Sequence, residues 1–261
     1  MSCRFQREQM MISITLDGNK IKVDGKATIL QAAREAGIAI PSLCSHQGLS
    51  GLGNCRLCVV EVEKSGRKRI VTSCNYPVEE GISVATSTPK LLAIRKMIIE
   101  LLMARSPHVK AIREYASAMG IEKPRFTRGN DKCILCGLCV HVCSEYVGAH
   151  AITFSGRGAE KFVCAPLYRS ASDCIACGAC VAVCPAQCIT MEDVMDARTY
   201  VPGGAEEVGP ARLIHNWNVR FPWKHCKSCG KSFAPPSPVA LMEGSKPLPK
   251  DFFAICDNCR K

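Results

Sequence analysis

Short runs of alternating hydrophobic and polar residues fill the first third of the chain and predict half-buried β-strands. Residues 11–16 (MISITL) and 20–23 (KIKV) alternate on either side of the turn sequence Asp17-Gly18-Asn19, which predicts a β-hairpin. The same alternation predicts further strands over residues 58–63, 68–72 and 81–86. With one helix, these strands predict a small α+β domain that contains a long loop.

Helical spacing of hydrophobic residues predicts three helices. Thr28 can cap a helix over residues 29–36, and Thr88-Pro89 opens a longer helix that runs to Arg105. A third helix is predicted over residues 108–119, and we expect the last two to form a connector. Charged residues interrupt the apolar run of the long helix well short of the roughly 20 residues that a membrane span needs. No direct membrane insertion is therefore expected.

Nineteen of the 261 residues are cysteines, a density that fits either a disulfide scaffold or a set of metal sites. Disulfide scaffolds are typically small and secreted. The start of this chain (MSCRFQREQMMISITLDG) has the form of a flexible leader rather than a secretion signal. Repeated C-x-x-C motifs place several sulfurs on adjacent turns, which favours metal binding in a reducing compartment. The prediction is a cytoplasmic metalloprotein.

The formal net charge of +11 by itself suggests a nucleic-acid partner. Metal-bound cysteines are thiolates, however, and four sites that each carry about −2 would lower the net charge to about +3. The basic residues then mostly offset the metal sites, so no nucleic-acid binding is expected. The alternative is a nucleic-acid-associated iron–sulfur protein, whose binding would depend strongly on salt.

The first four candidate metal ligands include two cysteines that are separated by a glycine-rich loop. The four are Cys44, Cys55, Cys58 and Cys74, separated by gaps of 10, 2 and 15 residues. Gly48, Gly51 and Gly53 permit the backbone to approach a cluster closely, and their amides can donate to sulfur. Plant-type 2Fe–2S ferredoxins have a first gap of about 4 residues, so this is a different variant. We predict a 2Fe–2S site, with a structural zinc site as the alternative.

One cysteine pattern occurs twice, as CILCGLCVHVC at 133–143 and as CIACGACVAVCP at 174–185, which indicates an internal duplication. Both copies match the bacterial ferredoxin motif, in which the fourth cysteine of each run ligates the other cluster. Ser144 replaces the usual proline, which affects a turn and not a ligand. Two 4Fe–4S clusters with crossed ligands are predicted. The first is assigned Cys133, Cys136, Cys139 and Cys184, and the second Cys143, Cys174, Cys177 and Cys180.

Two cysteine knuckles close the sequence, with 26 residues between them, a spacing typical of a zinc ribbon. Rubredoxin-like iron would use similar knuckles, but zinc is preferred because the short, partly basic tail looks structural. The predicted zinc ligands are Cys226, Cys229, Cys256 and Cys259. Residues 196–222 contain VPGGAEEVGP and are interpreted as a linker that lets the ribbon sit away from the clusters. The remaining cysteines, Cys3, Cys164 and Cys188, are not expected to bind metal.

The sequence GNCRLCVVEVE at 53–63 resembles the N-terminal 2Fe–2S domain of the complex I large iron–sulfur subunit and its relatives in NAD-linked hydrogenases. With the duplicated motif, residues 11–195 resemble the iron–sulfur electron-transfer subunit, or diaphorase subunit, of cytoplasmic NAD(P)-linked hydrogenases. The resemblance implies a β-grasp fold for the first domain. Relatives bind a further 4Fe–4S cluster through a histidine and three cysteines. Here His108 has no cysteine between residues 75 and 132, so the family form without that cluster, and without a catalytic hydrogenase domain, is expected.

The resemblance also implies a function, the passage of single electrons between other subunits. An FMN- and NAD-binding flavoprotein would be one partner, and a hydrogenase or formate dehydrogenase catalytic subunit, or soluble ferredoxin, the other. Low-potential clusters would also suit electron bifurcation. The sequence has no evident flavin or nicotinamide motif and no nucleophile–base pair, so no catalytic residue is assigned. The alternatives are the equivalent subunit of an NAD-dependent formate dehydrogenase and a free-standing polyferredoxin.

Six segments and an overall α+β fold are predicted from these observations. They are a flexible leader (1–10), a 2Fe–2S ferredoxin-like domain (11–88), a helical connector (89–125), a 2×4Fe–4S ferredoxin domain (126–195), a linker (196–222) and a zinc-ribbon tail (223–261).

Overall fold

The computed structural model describes residues 11–168, 171–200 and 206–260, so the predicted leader and Cys3 lie outside the described residues. The chain forms two compact units. The first holds the described residues up to Asp131 except His46–Leu49, and the second holds His46–Leu49 together with the described residues from Lys132 onward. No helix among these residues combines the length and the apolar character needed to cross a membrane.

A five-stranded sheet forms the framework of the first unit, in the order β2-β1-β5-β3-β4. Its strands are β1 (Met11–Leu16), β2 (Asn19–Asp24), β3 (Val59–Lys64), β4 (Arg67–Thr72) and β5 (Ser83–Ala85). The predicted hairpin is present, since β1 pairs antiparallel with β2. Strand β1 pairs in parallel with β5, which pairs antiparallel with β3. The alternation in β1 buries Ile12, Ile14 and Leu16 in the core, as a sheet with one buried face requires.

Helix α1 (Ile29–Glu35) packs its apolar residues into the same core. Its start is fixed by a capping box, in which the Gln31 amide donates to Thr28 Oγ1 at 3.3 Å and the Thr28 amide donates to Gln31 Oε1 at 2.8 Å. Ala32 and Ala33 are fully buried, and their small side chains let the helix lie close to its neighbours. The long loop that carries the first cysteines begins after this helix.

Two helices, α2 (Pro89–Arg105) and α3 (Lys110–Ala118), occupy the segment expected to be a helical connector. Two of the charged residues that interrupt the apolar run of α2, Arg95 and Glu100, are buried, whereas Lys96 is exposed. Arg95 is 5% exposed and donates from Nη2 to the Val59 carbonyl at 2.7 Å, while Glu100 is 5% exposed and accepts from Arg125 Nε at 3.0 Å. The helix therefore carries charge into the protein, and it leaves Leu92 and Leu101 about half exposed.

The second unit shows the internal duplication in its backbone. Short helices α4 (Leu138–His141) and α5 (Ala179–Ala182) begin directly after Gly137 and Gly178, whose φ angles are 86° and 71°. A π-helical turn, Val142–Tyr146, follows α4. A two-stranded sheet of β6 (Thr153–Ser155) and β7 (Phe162–Cys164) lies in the sequence between the two copies.

The expected linker, 196–222, differs from the structure, because most of this segment belongs to an antiparallel sheet in the order β10-β9-β8. Its strands are β8 (Met191–Tyr200), β9 (Glu206–Ile214) and β10 (Val219–Pro222). Ile214 and Val219 are buried in the core that also contains Cys139 and Ala176. Gly209 and Pro210, which contributed to the linker prediction, lie within β9, opposite the irregular pairing between Val194 and Ala197 of β8, and irregular pairing of this kind tolerates proline. Pro202, Gly203 and Gly204 lie outside the described residues.

The tail is built from short elements. They are β11 (Lys224–His225), β12 (Ser232–Phe233), helix α6 (Val239–Glu243) and two 3₁₀ turns at Phe252–Ala254 and Asp257–Cys259. Strands β11 and β12 pair antiparallel around the first knuckle.

Candidate metal centres

Four thiols meet beneath the long loop of the first unit: Cys44, Cys55, Cys58 and Cys74. The sulfurs of Cys44 and Cys55 lie 3.3 Å apart, and the Cys74 thiol interacts with those of both Cys44 and Cys58. The Cys55 amide donates to Cys44 Sγ at 3.3 Å, and the Leu43 amide donates to Cys55 Sγ at 3.5 Å. The structure thus brings together the four residues that the sequence assigns to a 2Fe–2S site.

Hydrogen bonds among these thiols lower the pKa values of two of them and raise those of the other two. A side-chain hydrogen bond with Cys55 is the largest cause that lowers the pKa of Cys44, to about 3, and one with Cys74 lowers the pKa of Cys58 to about 6. The pKa values of Cys55 and Cys74 are raised by the same contacts. The lowered pKa values of Cys44 and Cys58 favour the thiolate, the form in which cysteine binds metal.

Glycines in the loop allow the backbone to wrap closely around these sulfurs. A side chain on Gly51 would clash with the carbonyl group of Cys74, and Gly53 has a φ angle of 66°, in the left-handed region. The Gly53 amide donates to Cys74 and the Asn54 amide to Cys44. Such N–H···S donors orient the ligands of an iron–sulfur site and tune its potential. The loop residues fit a bound cluster.

Two sulfur-lined cavities lie in the second unit, and each draws cysteines from both copies of the motif. One cavity is lined by Cys133, Cys136, Cys139, Cys184 and Cys188. The other is lined by Cys143, Cys174, Cys177 and Cys180. The fourth cysteine of each run thus lies with the other run's first three, which is the arrangement that the bacterial ferredoxin motif predicts.

In each copy of the duplicated motif, a backbone amide donates to the sulfur of the first cysteine. The Leu135 amide donates to Cys133 Sγ and the Ala176 amide to Cys174 Sγ, both at 3.4 Å. Leu135 and Ala176 have φ angles of 54° and 50°, an uncommon conformation for residues with a side chain. Its repetition at equivalent positions indicates that the conformation is a property of the duplicated motif. In the first copy, Ser144 Oγ donates to the Val140 carbonyl at 3.1 Å, where the second copy has Pro185.

Burial dominates the acidity of the thiols in the second cavity. It raises the pKa of Cys177 to about 11 and that of Cys180 to about 12, while an interaction with the Trp217 indole acts to lower the pKa of Cys180. Thiols that are costly to ionise alone are suited to a site in which bound metal supplies positive charge.

Cys188 lies in the first cavity, although the sequence gives it no ligand role. Its sulfur is 3.7 Å from that of Cys184, and a hydrogen bond with Cys188 lowers the pKa of Cys184 to about 6. The spacing of four residues after Cys184 is the only sequence signal for this position. His108, in contrast, is exposed at the start of α3.

The four tail cysteines form a third kind of site: Cys226, Cys229, Cys256 and Cys259. All four sulfurs lie within 4.8 Å of one another, and those of Cys229 and Cys256 are 3.8 Å apart. Tetrahedral zinc with Zn–S bonds of about 2.3 Å requires sulfurs roughly 3.8 Å apart. The Cys256 amide donates to Cys226 Sγ at 3.4 Å and lowers the pKa of that thiol to about 6. The donor set fits a tetrahedral thiolate-bound metal.

The tail packs beside the second sulfur-lined cavity, which contradicts the expectation that a linker holds it away. Cys177 and Gly178 share a cavity of about 430 Å³ with the tail segment 233–237 and with Asp257. Arg212, 9% exposed, joins these parts, because its Nη1 donates to the carbonyl groups of Ala176 (3.2 Å) and Pro235. The wall of this cavity is thus built partly from residues near the predicted zinc site.

Comparisons with known proteins agree with this arrangement of sulfurs. Residues 9–89 match the family described as a 2Fe-2S iron-sulfur cluster binding domain, and residues 167–190 match a 4Fe-4S binding domain. These matches define the class of protein as an iron–sulfur protein with a 2Fe–2S domain and a 4Fe–4S ferredoxin motif.

Similar proteins come from two groups of oxidoreductases. NADPH-Fe(3+) oxidoreductase subunit alpha of Geobacter sulfurreducens is 37% identical over 173 residues, which is 57% of this chain and 20% of that protein. The 75 kDa subunit of NADH-ubiquinone oxidoreductase from Reclinomonas americana is 31% identical over 58% of this chain and 25% of its own length. The mitochondrial 78 kDa subunit of Neurospora crassa is 29% identical over 56% of this chain and 23% of its own length. The chain spans a quarter or less of each relative.

For one solved structure, the match covers a larger share of the other chain. It is a chain in the crystal structure of NAD+-reducing [NiFe]-hydrogenase in the H2-reduced state, with 30% identity and a TM-score of 0.54 over 59% of this chain and 75% of that chain. The chain belongs to the family of iron–sulfur electron-transfer subunits of NAD(P)-linked hydrogenases and complex I. The resemblance inferred from the cysteine motifs is confirmed.

Proposed function

We propose that this chain is the iron–sulfur relay subunit of a multisubunit, cytoplasmic, NAD(P)-dependent hydrogenase. The observation that carries the proposal is the grouping of twelve cysteines into three sets of four, two of them with crossed membership in one unit. Iron–sulfur groups accept and donate single electrons. A chain that offers several such sites side by side is suited to relaying electrons between partners.

The ligand sets are those assigned from the sequence. Cys44, Cys55, Cys58 and Cys74 would hold a 2Fe–2S cluster within a β-grasp domain. Cys133, Cys136, Cys139 and Cys184 would hold the first 4Fe–4S cluster, and Cys143, Cys174, Cys177 and Cys180 the second. Cys226, Cys229, Cys256 and Cys259 would hold Zn²⁺ in a ribbon. The contacts among the sulfurs within each set support these assignments.

The protein's own groups prepare each site for thiolate ligands. Backbone amides of Cys55, Leu135 and Ala176 donate to sulfur, which stabilises its negative charge. Arg95, buried in α2, interacts electrostatically with Cys58 and places a positive charge beside the first site. The amide donors also help to orient the sulfurs that accept from them.

The proposed partners follow from the family. An FMN- and NAD-binding flavoprotein would exchange electron pairs at one end, and a hydrogenase catalytic subunit would exchange them at the other. Soluble ferredoxin is a further proposed acceptor, which would allow electron bifurcation. The equivalent subunit of a formate dehydrogenase is the second candidate, because the cysteine sets are the same whichever catalytic subunit supplies the electrons.

Metal analysis of the anaerobically purified chain is the first test. We expect about 10 iron atoms and one zinc per chain, and no NADH or hydrogen oxidation by the chain alone. About 14 irons would reveal a further cluster, and about 6 would remove one of the two 4Fe–4S assignments. Robust NADH oxidation by the flavin-free chain would overturn the relay function.

Isolation of the native complex is the second test and identifies the partners. A flavoprotein and a nickel–iron subunit at equal stoichiometry would support the hydrogenase assignment. A molybdenum or tungsten subunit would establish the formate dehydrogenase alternative instead, and recovery of the chain alone would indicate a free-standing polyferredoxin.

A further inference from the structure

Trp217 lies between the two sulfur-lined cavities of the second unit and forms part of the wall of both. It ends the 3₁₀ turn His215–Trp217, which joins β9 to β10. The side chain is 6% exposed and belongs to the core that contains Cys139 and Ala176. A residue outside the cysteine motifs thus separates the two proposed 4Fe–4S sites.

The indole N–H of Trp217 has no partner that meets hydrogen-bond geometry among the described residues, although its nitrogen is fully buried. A buried donor without a partner is costly, and native proteins rarely retain one without a reason. The group with which this indole interacts is the sulfur of Cys180, in the second cavity. Sulfur of a metal-bound thiolate is a better acceptor than a neutral thiol, because it carries negative charge.

We propose that Trp217 donates its indole N–H to the sulfur of the second 4Fe–4S site at Cys180 and raises the reduction potential of that site. The physical reason is electrostatic. Reduction adds an electron to a negatively charged group, and an N–H donor stabilises the more negative state. Trp217 is a positioning and tuning residue, not a ligand. This inference rests on the proposed assignment of the second cluster.

The other tryptophan of the chain provides a matched control, since the sequence contains two. The Trp223 indole nitrogen is likewise buried without a partner that meets hydrogen-bond geometry. Its interaction is with the carboxylate of Asp193, and Trp223 lines neither sulfur-lined cavity. Replacement of either tryptophan by phenylalanine removes one buried N–H, but only Trp217 lies at the sulfur-lined cavities.

Potentiometric EPR titration of the full-length chain with its metals tests the proposal. In Trp217→Phe, we expect the equilibrium constant for reduction of the second 4Fe–4S cluster to fall about tenfold, or about 59 mV for one electron, with iron content unchanged. The first cluster should shift by much less, and Trp223→Phe should shift neither. An unshifted second cluster in Trp217→Phe, or an equal shift of both clusters, overturns the proposal.

A measurement without substitution at Trp217 guards against a variant that loses iron. Trp223→Phe protein labelled with ¹⁵N-indole tryptophan retains Trp217 as its single labelled ring. Pulsed EPR on the reduced second cluster should then show a ¹⁵N coupling, and its absence overturns the proposal. If the wild-type chain shows no second 4Fe–4S signal, the proposed cluster assignment fails as well. An unshifted potential with the signal present rejects the tryptophan inference alone.

Discussion

Single residues help to orient individual sulfurs in the duplicated motif. Leu135 and Ala176 adopt the same left-handed conformation at equivalent positions of the duplicated motif, and both amides reach the sulfur two residues earlier. Cys143 and Cys184, by contrast, cross to the other copy's cavity. Local geometry therefore helps to orient the first sulfur of each run, and tertiary packing brings the fourth cysteine to the cavity of the other run.

Replacement of Cys143 by serine tests this crossing at the residue scale. We expect loss or conversion of the cluster held by Cys174, Cys177 and Cys180, with the loss of up to about 4 irons, because a serine oxygen is a poorer ligand for this metal. The cluster beside Cys143 in the sequence should keep its EPR signal. Cys164→Ser is the control, since Cys164 lines neither cavity. Damage confined to the Cys133–Cys139 cluster would contradict the crossed assignment.

The cysteine sets could be proposed from the sequence because ligand spacing reports directly on local geometry. The positions of Trp217 and Cys188 in the cavity walls could not be predicted from the sequence, because they depend on the tertiary packing of a turn and of a side chain. Arg95 illustrates the same limit. Its charge within an apolar run marks a solvated face in most helices, yet here it is 5% exposed and bonded to the Val59 carbonyl group.

At the scale of elements, the sheet β8–β10 is the part of the fold that the sequence predicted least well. Its strands carry glycine, proline and many charges, so neither alternation nor propensity favours them. The sheet is stabilised instead by packing of Ile214 and Val219 into the core around the cysteines. The hairpin β1–β2 and helix α1, in contrast, carry their turn and cap signals in the sequence and were predicted correctly.

Arg212 on β9 connects this sheet to the tail and is a test of its contribution to stability. Its guanidinium donates to both carboxylate oxygens of Asp193 at 2.8 Å, which lowers the pKa of that carboxyl, and to the carbonyl groups of Ala176 and Pro235. Arg212→Met should lower the free energy of unfolding of the metal-loaded chain by about 3 kcal/mol, because buried acceptors lose their donor.

The matched control for Arg212 is Arg220→Met on the neighbouring strand β10, where the side chain is exposed. We expect a change below about 0.5 kcal/mol for this surface position. Anaerobic thermal denaturation followed by circular dichroism compares the two variants. Equal effects would show that Arg212 acts as an ordinary surface charge and that the tail is not anchored through it.

At the scale of the whole molecule, we expect bound metal to stabilise the parts of the chain that have little hydrophobic core of their own. We expect the tail, 39 residues by the predicted bounds 223–261, to depend on its four thiols for stability, because so short a segment buries little apolar surface. The same holds for the second unit, in which cysteines and small residues such as Ala151, Ala165 and Ala176 make up much of the core. Metal content and folding should therefore change together.

Cys229→Ser tests this dependence, since Cys229 is an exposed member of the tail site. We expect zinc to fall to near zero per chain, while the 2Fe–2S spectrum of the first unit is unchanged. Because tail residues share a cavity with Cys177, the second 4Fe–4S cluster should lose iron in air several-fold faster than in the wild type. Metal analysis before and after timed air exposure measures both effects. An unchanged rate of iron loss would show that the tail gives that cluster no protection.

The crossed placement of Cys143 and Cys184 also has a consequence for biosynthesis. A nascent chain that has just passed Cys143 already carries three ligands of one 4Fe–4S set but only one of the other. Neither set can close before the second motif has been synthesised, since the second set is complete only at Cys180 and the first only at Cys184. Under the proposed assignment, the two 4Fe–4S sites mature together and late, and a ribosome stalled between the two motifs yields a product with neither.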